Sequence, residues 1–231
     1  MSIFEQLQKN KGTTSSALGK ALANEVLKGN KDILMEAIQL VSYDAGKEKS
    51  KNIRAGAAKI IEKVAEEKPE MVSPYLDIIF PALAVKEPQT RWMIMMTFGY
   101  CAKLNQEKTF EAISFAKTFI KEHQGLCLSG AAERYLGQIG EISSQNAEIV
   151  FPILLEAFDD PLPNEMDWIL EAFCLIFHNL SPKNKGIIVE CANEYVDSSK
   201  SCTKNARKKY SNLAGNHEWC GRTKYGIFQK L

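Results

Sequence analysis

Apolar residues recur along this chain at intervals of three and four positions, the spacing that lines one face of an α-helix. The clearest early example places Leu18, Leu22 and Val26 on such a face. Gly29 follows as a helix stop, and Asn30 is placed to cap the next helix. No alternating run is long enough to predict a β-sheet. The pattern therefore predicts an all-α protein.

Other boundary signals support the same prediction. The polar link KEKSKN precedes a helix predicted from about residue 52 to residue 67. Ser181 followed by Pro182 indicates another helix start, because the fixed φ of proline suits the first helical position. The segments 78–80 and 150–151 look like short strand fragments, but helical sequence surrounds both.

A repeat of 37 to 39 residues organises these helices. Arg91 follows Arg54 by 37 residues, and Ser129 follows Arg91 by 38. A small or apolar residue comes three positions after each of them. A second series runs through the partner helices, where Pro74 and Pro152 are 78 residues apart, or two periods of 39. Two independent series with one period indicate tandem helix pairs.

The pattern of the repeat resembles the HEAT repeat. Its marks are spread over the copies: an arginine at 54 and 91, small residues three and four positions after Arg54, Phe98-Gly99 and Leu136-Gly137 at positions seven and eight of the next two copies, and Pro-x-Leu in the second helix. The resemblance covers roughly residues 14–200. It implies an all-α, right-handed α-α superhelix, a HEAT-like solenoid of about five helix pairs. Such pairs cannot bury their apolar faces alone, so neighbours stack and share one core.

The resemblance also predicts where the pairs and domains lie. The implied helix pairs are residues 14–44, 50–85, 88–122, 126–159 and 162–197, with an unpaired helix near 202–213. We expect residues 1–199 to form the repeat domain and residues 200–231 to form a basic capping helix and tail.

The segment RWMIMMTFGYCAKL, residues 91–104, is chemically conspicuous. Its apolar residues surround the helix, which indicates burial between neighbouring repeats, and methionine fills irregular gaps between packed helices. The nearly apolar run from Trp92 to Ala102 spans 11 residues, against roughly 20 for a membrane span. We therefore predict a core helix rather than a membrane segment or a cofactor site.

Composition places the chain among ordinary soluble proteins. It has 45% hydrophobic and 25% charged residues, and MSIFEQLQKN lacks the basic start and apolar run of a signal peptide. The six cysteines are scattered and form no CxxC motif. This usage predicts reduced thiols and a cytoplasmic location.

Charge is concentrated at the C-terminal end. Residues 200–231 carry eight Lys or Arg against one acid, a net charge of +7, which leaves −6 for residues 1–199. Basic residues interleaved with aromatics can bind phosphate and stack on bases. A terminal repeat also needs a solvated outer face, which lysines supply. The candidate nucleic-acid-binding residues are Arg207, Lys208, Lys209, Tyr210, Arg222 and Lys224.

Arg54 and Arg91 are the candidate partner-binding residues, because arginine suits carboxylate and phosphate recognition. The HEAT resemblance gives the same position a structural role, in which the arginine bonds to carbonyls or to an acid of the adjacent repeat. HEAT-like families serve mainly as scaffolds that bind a protein or peptide along a concave face formed by the second helices. Polar residues of those helices that could line such a face are Glu111, Lys117, Lys121, Glu148, Glu156 and Asp159.

No catalytic constellation is visible. HEAT-like deoxyhypusine hydroxylases bind iron through several His-Glu pairs, whereas this chain has one. HEAT-like alkylpurine DNA glycosylases would require a basic groove, which the net charge of −6 on residues 1–199 disfavours. The candidate residues for such an enzyme are Arg91, Trp92, Asp167 and Trp168. We expect a non-enzymatic scaffold with a protein or peptide partner, no metal, no cofactor, and a monomeric or weakly oligomeric state. Nucleic-acid binding through residues 200–231 is the alternative.

Overall fold

The computed structural model describes residues 2–10 and 15–193, in which the regular structure is helical and no strand occurs. The α-helices are α1 (Ile3–Lys9), α2 (Ser15–Leu27), α3 (Lys31–Leu40), α4 (Lys51–Glu67), α5 (Leu76–Ile79), α6 (Pro88–Tyr100), α7 (Gln106–Glu111), α8 (Ile113–Lys121), α9 (Leu126–Gly140), α10 (Ser144–Asp159), α11 (Met166–Ile176) and α12 (Pro182–Asn193). The 3-10 helices are Glu48–Ser50, Pro69–Met71, Ser73–Tyr75, Phe80–Ala84 and Phe177–Asn179.

These elements form five tandem helix pairs, so the prediction of an all-α repeat fold is confirmed. The first pair is α2 with α3, the third is α6 with α7 and α8, the fourth is α9 with α10, and the fifth is α11 with α12. The second pair joins α4 to a stretch that combines α5 with 3-10 helices. The helix expected near 202–213 lies outside the described residues.

The chain forms two compact units, Met1–Tyr135 and Leu136–Leu231, and the division falls inside α9. The predicted domain boundary between residues 199 and 200 lies outside the described residues and stays a prediction.

The turn between α2 and α3 follows from Gly29. Its φ is +119°, in the left-handed region that glycine adopts without strain. The amide of Gly29 donates to the Val26 carbonyl at 2.9 Å, and that of Asn30 donates to the Glu25 carbonyl at 3.1 Å. These bonds end the helix in the manner predicted. Asn30 precedes α3, but its side chain makes no capping hydrogen bond.

Helix α1 is an element that the apolar pattern did not predict. It packs against α3 and α4, and Leu7, 1% exposed, occupies the space beside Gly56 where a Cβ would clash. The Glu36 carboxylate accepts hydrogen bonds from the amides of Ile3 and Phe4 at 3.2 and 3.0 Å. A negative charge at a helix N-terminus is favourable because unpaired amides and the helix dipole meet it there.

The core of the first unit is built around α4 and α6. Helix α4 contacts α2, α3 and α6, and it is buried on almost every side. In α6 the side chains of Met93, Met95 and Met96 are at most 7% exposed. The prediction that these methionines are buried is confirmed, and α6 contacts α4 and the 3-10 helix Phe80–Ala84 of the preceding pair.

Three prolines divide the second element of the second pair. Pro69, Pro74 and Pro81 each lie at the first or second position of a 3-10 helix. Proline supplies no amide and disfavours helix in the residue before it, so a continuous α-helix does not form across 69–84. Only α5, four residues long, is α-helical within the stretch.

Helix α10 holds the corresponding place in the fourth pair and runs unbroken for 16 residues. The Ser143 side chain caps its start by accepting from the Asn146 amide at 3.1 Å. Pro152 lies inside the helix and is exposed. Gly140, in the preceding helix, allows close approach: a Cβ there would lie 2.8 Å from Val150 Cγ2 and 2.5 Å from Ile176 Cγ2.

Candidate partner-binding site

Arg54 lies on α4 and is 1% exposed. Its Nε and Nη2 donate to the two carboxylate oxygens of Glu87 at 2.6 and 2.8 Å. Its Nη1 donates to the backbone carbonyls of Tyr43, Asp44 and Lys47 at 3.1, 2.9 and 3.2 Å. The guanidinium therefore ties the loop after α3 to the residue that precedes α6, with bidentate geometry toward the acid.

Glu87 is held in its charged form by these contacts. Burial opposes ionisation, but the hydrogen bonds from Arg54 and from the Thr90 hydroxyl, the latter at 2.8 Å, outweigh it and lower the pKa of Glu87 below its ordinary value. The carboxylate thus joins two helix pairs and accepts from the first turn of α6.

Arg91 occupies the same repeat position on α6 and is 6% exposed. Its Nη1 donates to Glu122 at 2.8 Å, and its Nη2 donates to the side-chain oxygen of Gln124. The guanidinium carbon lies 4.9 Å from the ring centroid of Phe119. Its Nε is buried and has no hydrogen-bond partner among residues 2–10 and 15–193.

Arg54 therefore makes the contacts that the HEAT resemblance implied, to carbonyls and to an acid that precedes the next pair, whereas Arg91 bonds to Glu122 at the end of its own pair. They do not share an acid, because Arg54 bonds to Glu87 and Arg91 to Glu122. Direct contact of either arginine with a partner stays a prediction.

The first helices also carry a buried polar contact around Trp92. Lys59 on α4 places its Nζ 4.9 Å from the ring centroid of Trp92 and donates to Glu62 at 2.9 Å. Lys59 and Glu62 are 8% and 3% exposed. Trp92 is half-buried rather than buried, and a lysine covers its ring.

An open cleft of about 260 Å³ lies between the second elements of the first two helix pairs. One wall belongs to α3 and the other to the 3-10 helices of the second pair. The lining residues are Lys31, Leu34 and Met35 from α3, and Glu70, Met71, Pro74 and Tyr75 from the other wall. Met35 is 39% exposed. Ile78 lies in α5, directly after the 3-10 helices that form the other wall, and is 44% exposed.

Sequence reasoning did not find this cleft. Pro74 marks the repeat period, and the sequence also carries a signal for the cleft, because Pro69, Pro74 and Pro81 fall within 13 positions. Three prolines at such spacing predict a broken helix, and a broken helix packs less closely against its neighbour.

The polar residues proposed for the second-helix face are all exposed: Glu111, Lys117, Lys121, Glu148, Glu156 and Asp159. Some of them have structural partners. Lys108 binds Glu111 at 2.7 Å, and the Glu148 carboxylate accepts from the Ser181 amide and from the Asn184 side chain at 2.7 and 2.6 Å. They stay candidates for partner contact.

The candidate nucleic-acid-binding residues Arg207, Lys208, Lys209, Tyr210, Arg222 and Lys224 lie outside the described residues. Of the residues considered for a glycosylase, Arg91 and Trp92 lie on α6 in the first unit. Asp167 and Trp168 lie in the first turn of α11 in the second unit. Across residues 2–10 and 15–193, no group of three His, Cys, Asp or Glu side chains is arranged to hold a metal ion.

No helix in the described part of the chain has both the length and the apolarity needed to cross a membrane.

Comparison with solved structures supports the fold. The chain is similar to two engineered proteins of the Northeast Structural Genomics Consortium. One has a TM-score of 0.64 and 13% identity, with 90% of this chain and 95% of that chain covered. The other has a TM-score of 0.56, 14% identity and the same coverage.

A designed armadillo repeat protein is also similar, with a TM-score of 0.56 and 10% identity over 90% of this chain and 96% of that chain. No protein-family model and no curated protein sequence matches the chain. At these identities the likeness shows a helical-repeat fold and nothing further.

Proposed function

We propose that the protein is a non-enzymatic, HEAT-like scaffold that binds a protein or peptide partner on the surface formed by its second elements. The cleft between α3 and the 3-10 helices is the observation that carries this proposal. Arg54 and Arg91 support the surface by fixing the loops that lead into neighbouring pairs.

The chemistry of the cleft favours a polypeptide partner over a small ligand. Small-molecule sites typically enclose 300 to 1,000 Å³, whereas this cleft is smaller and open. Such a space suits one large side chain projecting from a partner. Met35 and Met71 supply flexible, polarisable contacts, which are common on surfaces that accommodate partner side chains.

Site-specific photo-cross-linking tests the proposal. A benzoylphenylalanine at Met35 is expected to cross-link a discrete protein in lysate of the native cells, and the added substitution Met71→Glu is expected to abolish the product. The matched control carries the same cross-linker at Leu104, which is exposed and apolar but lies outside the cleft. No product from the Met35 position, or the same product from both positions, would contradict the proposal.

A second candidate function rests on the +7 charge of residues 200–231. If this end binds nucleic acid, the affinity will fall steeply with salt, because phosphate contacts release counterions. Removal of residues 200–231 is then expected to abolish binding to a single-stranded oligonucleotide. Undiminished binding by the truncated chain would rule this role out.

A further inference from the structure

The two charged residues of the cleft stand on opposite walls. Lys31 is the first residue of α3, and Glu70 lies in the 3-10 helix Pro69–Met71. Both are exposed, and apolar side chains of Leu34, Met35 and Met71 line the space with them. The cleft therefore has an apolar lining, one cationic wall and one anionic wall.

Neither charge has an ion-pair partner among the described residues. In the part of the chain that the structure describes, Lys31 and Glu70 make no ion pair with each other or with another residue. Some lysines of the same unit do have acidic partners, namely Lys47 with Asp44, Lys51 with Glu48, and the half-buried Lys63 with Glu66. The cleft thus keeps two opposite charges available to a ligand.

From this arrangement we infer the chemistry of the partner. The cleft binds a peptide segment that presents one large apolar side chain flanked by an acidic residue on one side and a basic residue on the other. The acid pairs with Lys31 and the base with Glu70, while the apolar side chain enters between Met35 and Met71. This inference rests on the proposed function and specifies the partner sequence that function would require.

Magnitudes assign the two kinds of contact different roles. Burial of one large apolar side chain raises affinity by about 10- to 150-fold. Each exposed ion pair raises it by up to about fivefold. The apolar side chain therefore supplies most of the affinity, whereas the flanking charges choose among peptides and set the direction in which the segment lies.

A set of four labelled peptides tests the inference. Each is blocked at both ends and has a Gly-Ser background, with Asp-Phe-Lys, Lys-Phe-Asp, Asn-Phe-Gln or Asp-Ser-Lys at its centre. Binding to the full-length protein is measured by fluorescence anisotropy at low and high salt. The wild type is expected to prefer one charged order over the neutral peptide by up to about fivefold for each ion pair, and Asp-Ser-Lys is expected to bind most weakly. High salt should reduce the preference for the charged order.

The decisive variant exchanges the charges, Lys31→Glu together with Glu70→Lys. Both side chains are exposed and the net charge is unchanged, so the fold is preserved, which circular dichroism checks. The variant is expected to prefer the opposite peptide order. Met35→Gln, as the matched variant of the apolar lining, is expected to weaken all three phenylalanine peptides together.

The outcomes separate this inference from the proposed function. If Met35→Gln weakens every peptide but the charge exchange leaves the order preference unchanged, charge recognition is wrong and peptide binding stands. If no peptide binds while the Met35 cross-link persists, the partner has different chemistry and only the inference falls. If free phenylalanine displaces the peptides at equal concentration, the cleft is an amino-acid site and the inference is overturned. Loss of both peptide binding and cross-linking overturns both.

Discussion

The second elements of the second and fourth helix pairs have prolines in matching repeat positions, Pro74 and Pro152, yet they fold differently. Residues 69–84 form 3-10 helices around a single α-helical turn, whereas residues 144–159 form one continuous α-helix. The difference lies in the surroundings. Pro69 and Pro81 flank Pro74, whereas Pro152 has no proline neighbour within its helix.

Residues 69–84 are here called the broken element. Two side chains of the third helix pair make hydrogen bonds to its backbone carbonyls. The Cys101 thiol lies 3.7 Å from the Pro69 carbonyl, and the Asn105 amide donates to the Ser73 carbonyl at 3.5 Å. The Pro69 carbonyl also accepts from the Val72 amide at 3.0 Å, so the thiol is its second donor. Burial raises the pKa of the Cys101 thiol to about 12, so it stays protonated and able to donate. In this fold three prolines within 13 positions break the helix over residues 69–84, whereas the single proline in α10 does not.

The largest loss of stability is expected from Arg54→Ala. This substitution removes the ion pair with Glu87, three positions after the end of the broken element. It leaves Glu87 and three carbonyls without the guanidinium, and loss of one partner of a buried ion pair costs about 3 to 5 kcal/mol. Urea denaturation followed by circular dichroism measures the free energy of unfolding. Arg91→Ala is the control, and a smaller loss is expected because its partner Glu122 is 31% exposed. Equal losses would show that the broken element needs no special anchor.

Glu87→Gln is expected to lower stability by about 1.5 to 3 kcal/mol at neutral pH, since a charge-assisted bond is lost. The pKa of Glu87 is lowered by folding, so its contribution is complete above the unfolded value of about 4.5 and disappears as pH falls through the folded value. Unfolding curves of wild type and variant from pH 7 to pH 3 check this. The free energies of unfolding of the two proteins should converge in acid. A constant difference from pH 7 to pH 3 would mean that the charge of Glu87 does not contribute to stability.

Gly140→Ala tests the close packing beside the continuous helix. The added methyl would lie within 2.8 Å of Val150 and Ile176, and overpacking of this kind costs about 1 to 3 kcal/mol. The shift in thermal midpoint measures it. Gly46→Ala is the control, because a Cβ there meets nothing within 4 Å and no loss is expected. If Gly140→Ala is neutral, the continuous element is packed as loosely as the broken one.

Replacing the matched prolines should give effects of opposite sign. Pro152 is exposed within a helix, so Pro152→Ala is expected to raise stability by about 1 to 2 kcal/mol, part of the roughly 3 kcal/mol that interior proline costs. Pro74 suits its 3-10 helix, so Pro74→Ala is expected to lower stability by less than about 1 kcal/mol. Chemical denaturation of both variants decides the matter. Stabilisation by both would imply that the broken element is strained.

The repeat period and the helix pairs could be predicted from the sequence because each pair must bury an apolar face. This requirement places apolar residues at regular intervals along the sequence. Helix starts and stops at Pro182 and Gly29 were equally readable, because proline and glycine restrict or free the backbone locally. Helix α1 was not, because only Ile3 and Leu7 are buried in it, too few to form a pattern.

The cleft and the arginine contacts depend on residues far apart in sequence. Arg54 and Glu87 are separated by 33 positions, and Lys31 and Glu70 by 39. Helical periodicity shows which face of an element is buried, but it does not show which side chain of the next element comes opposite. The resemblance to HEAT repeats supplied the kind of partner for the arginine, an acid or a carbonyl, and the structure supplied its identity.

The hydrogen bonds from Cys101 and Asn105 bear on how such a chain grows by duplication. A copied segment of residues 50–85 would contain a complete helix pair by its pattern. Its Pro69 carbonyl would keep the Val72 amide but lose the Cys101 thiol, and its Ser73 carbonyl would lose the Asn105 amide. The segment that includes both donors extends to Asn105, about half a repeat further. A duplication that copies the helices of one pair alone would therefore lose these two contacts between neighbouring repeats.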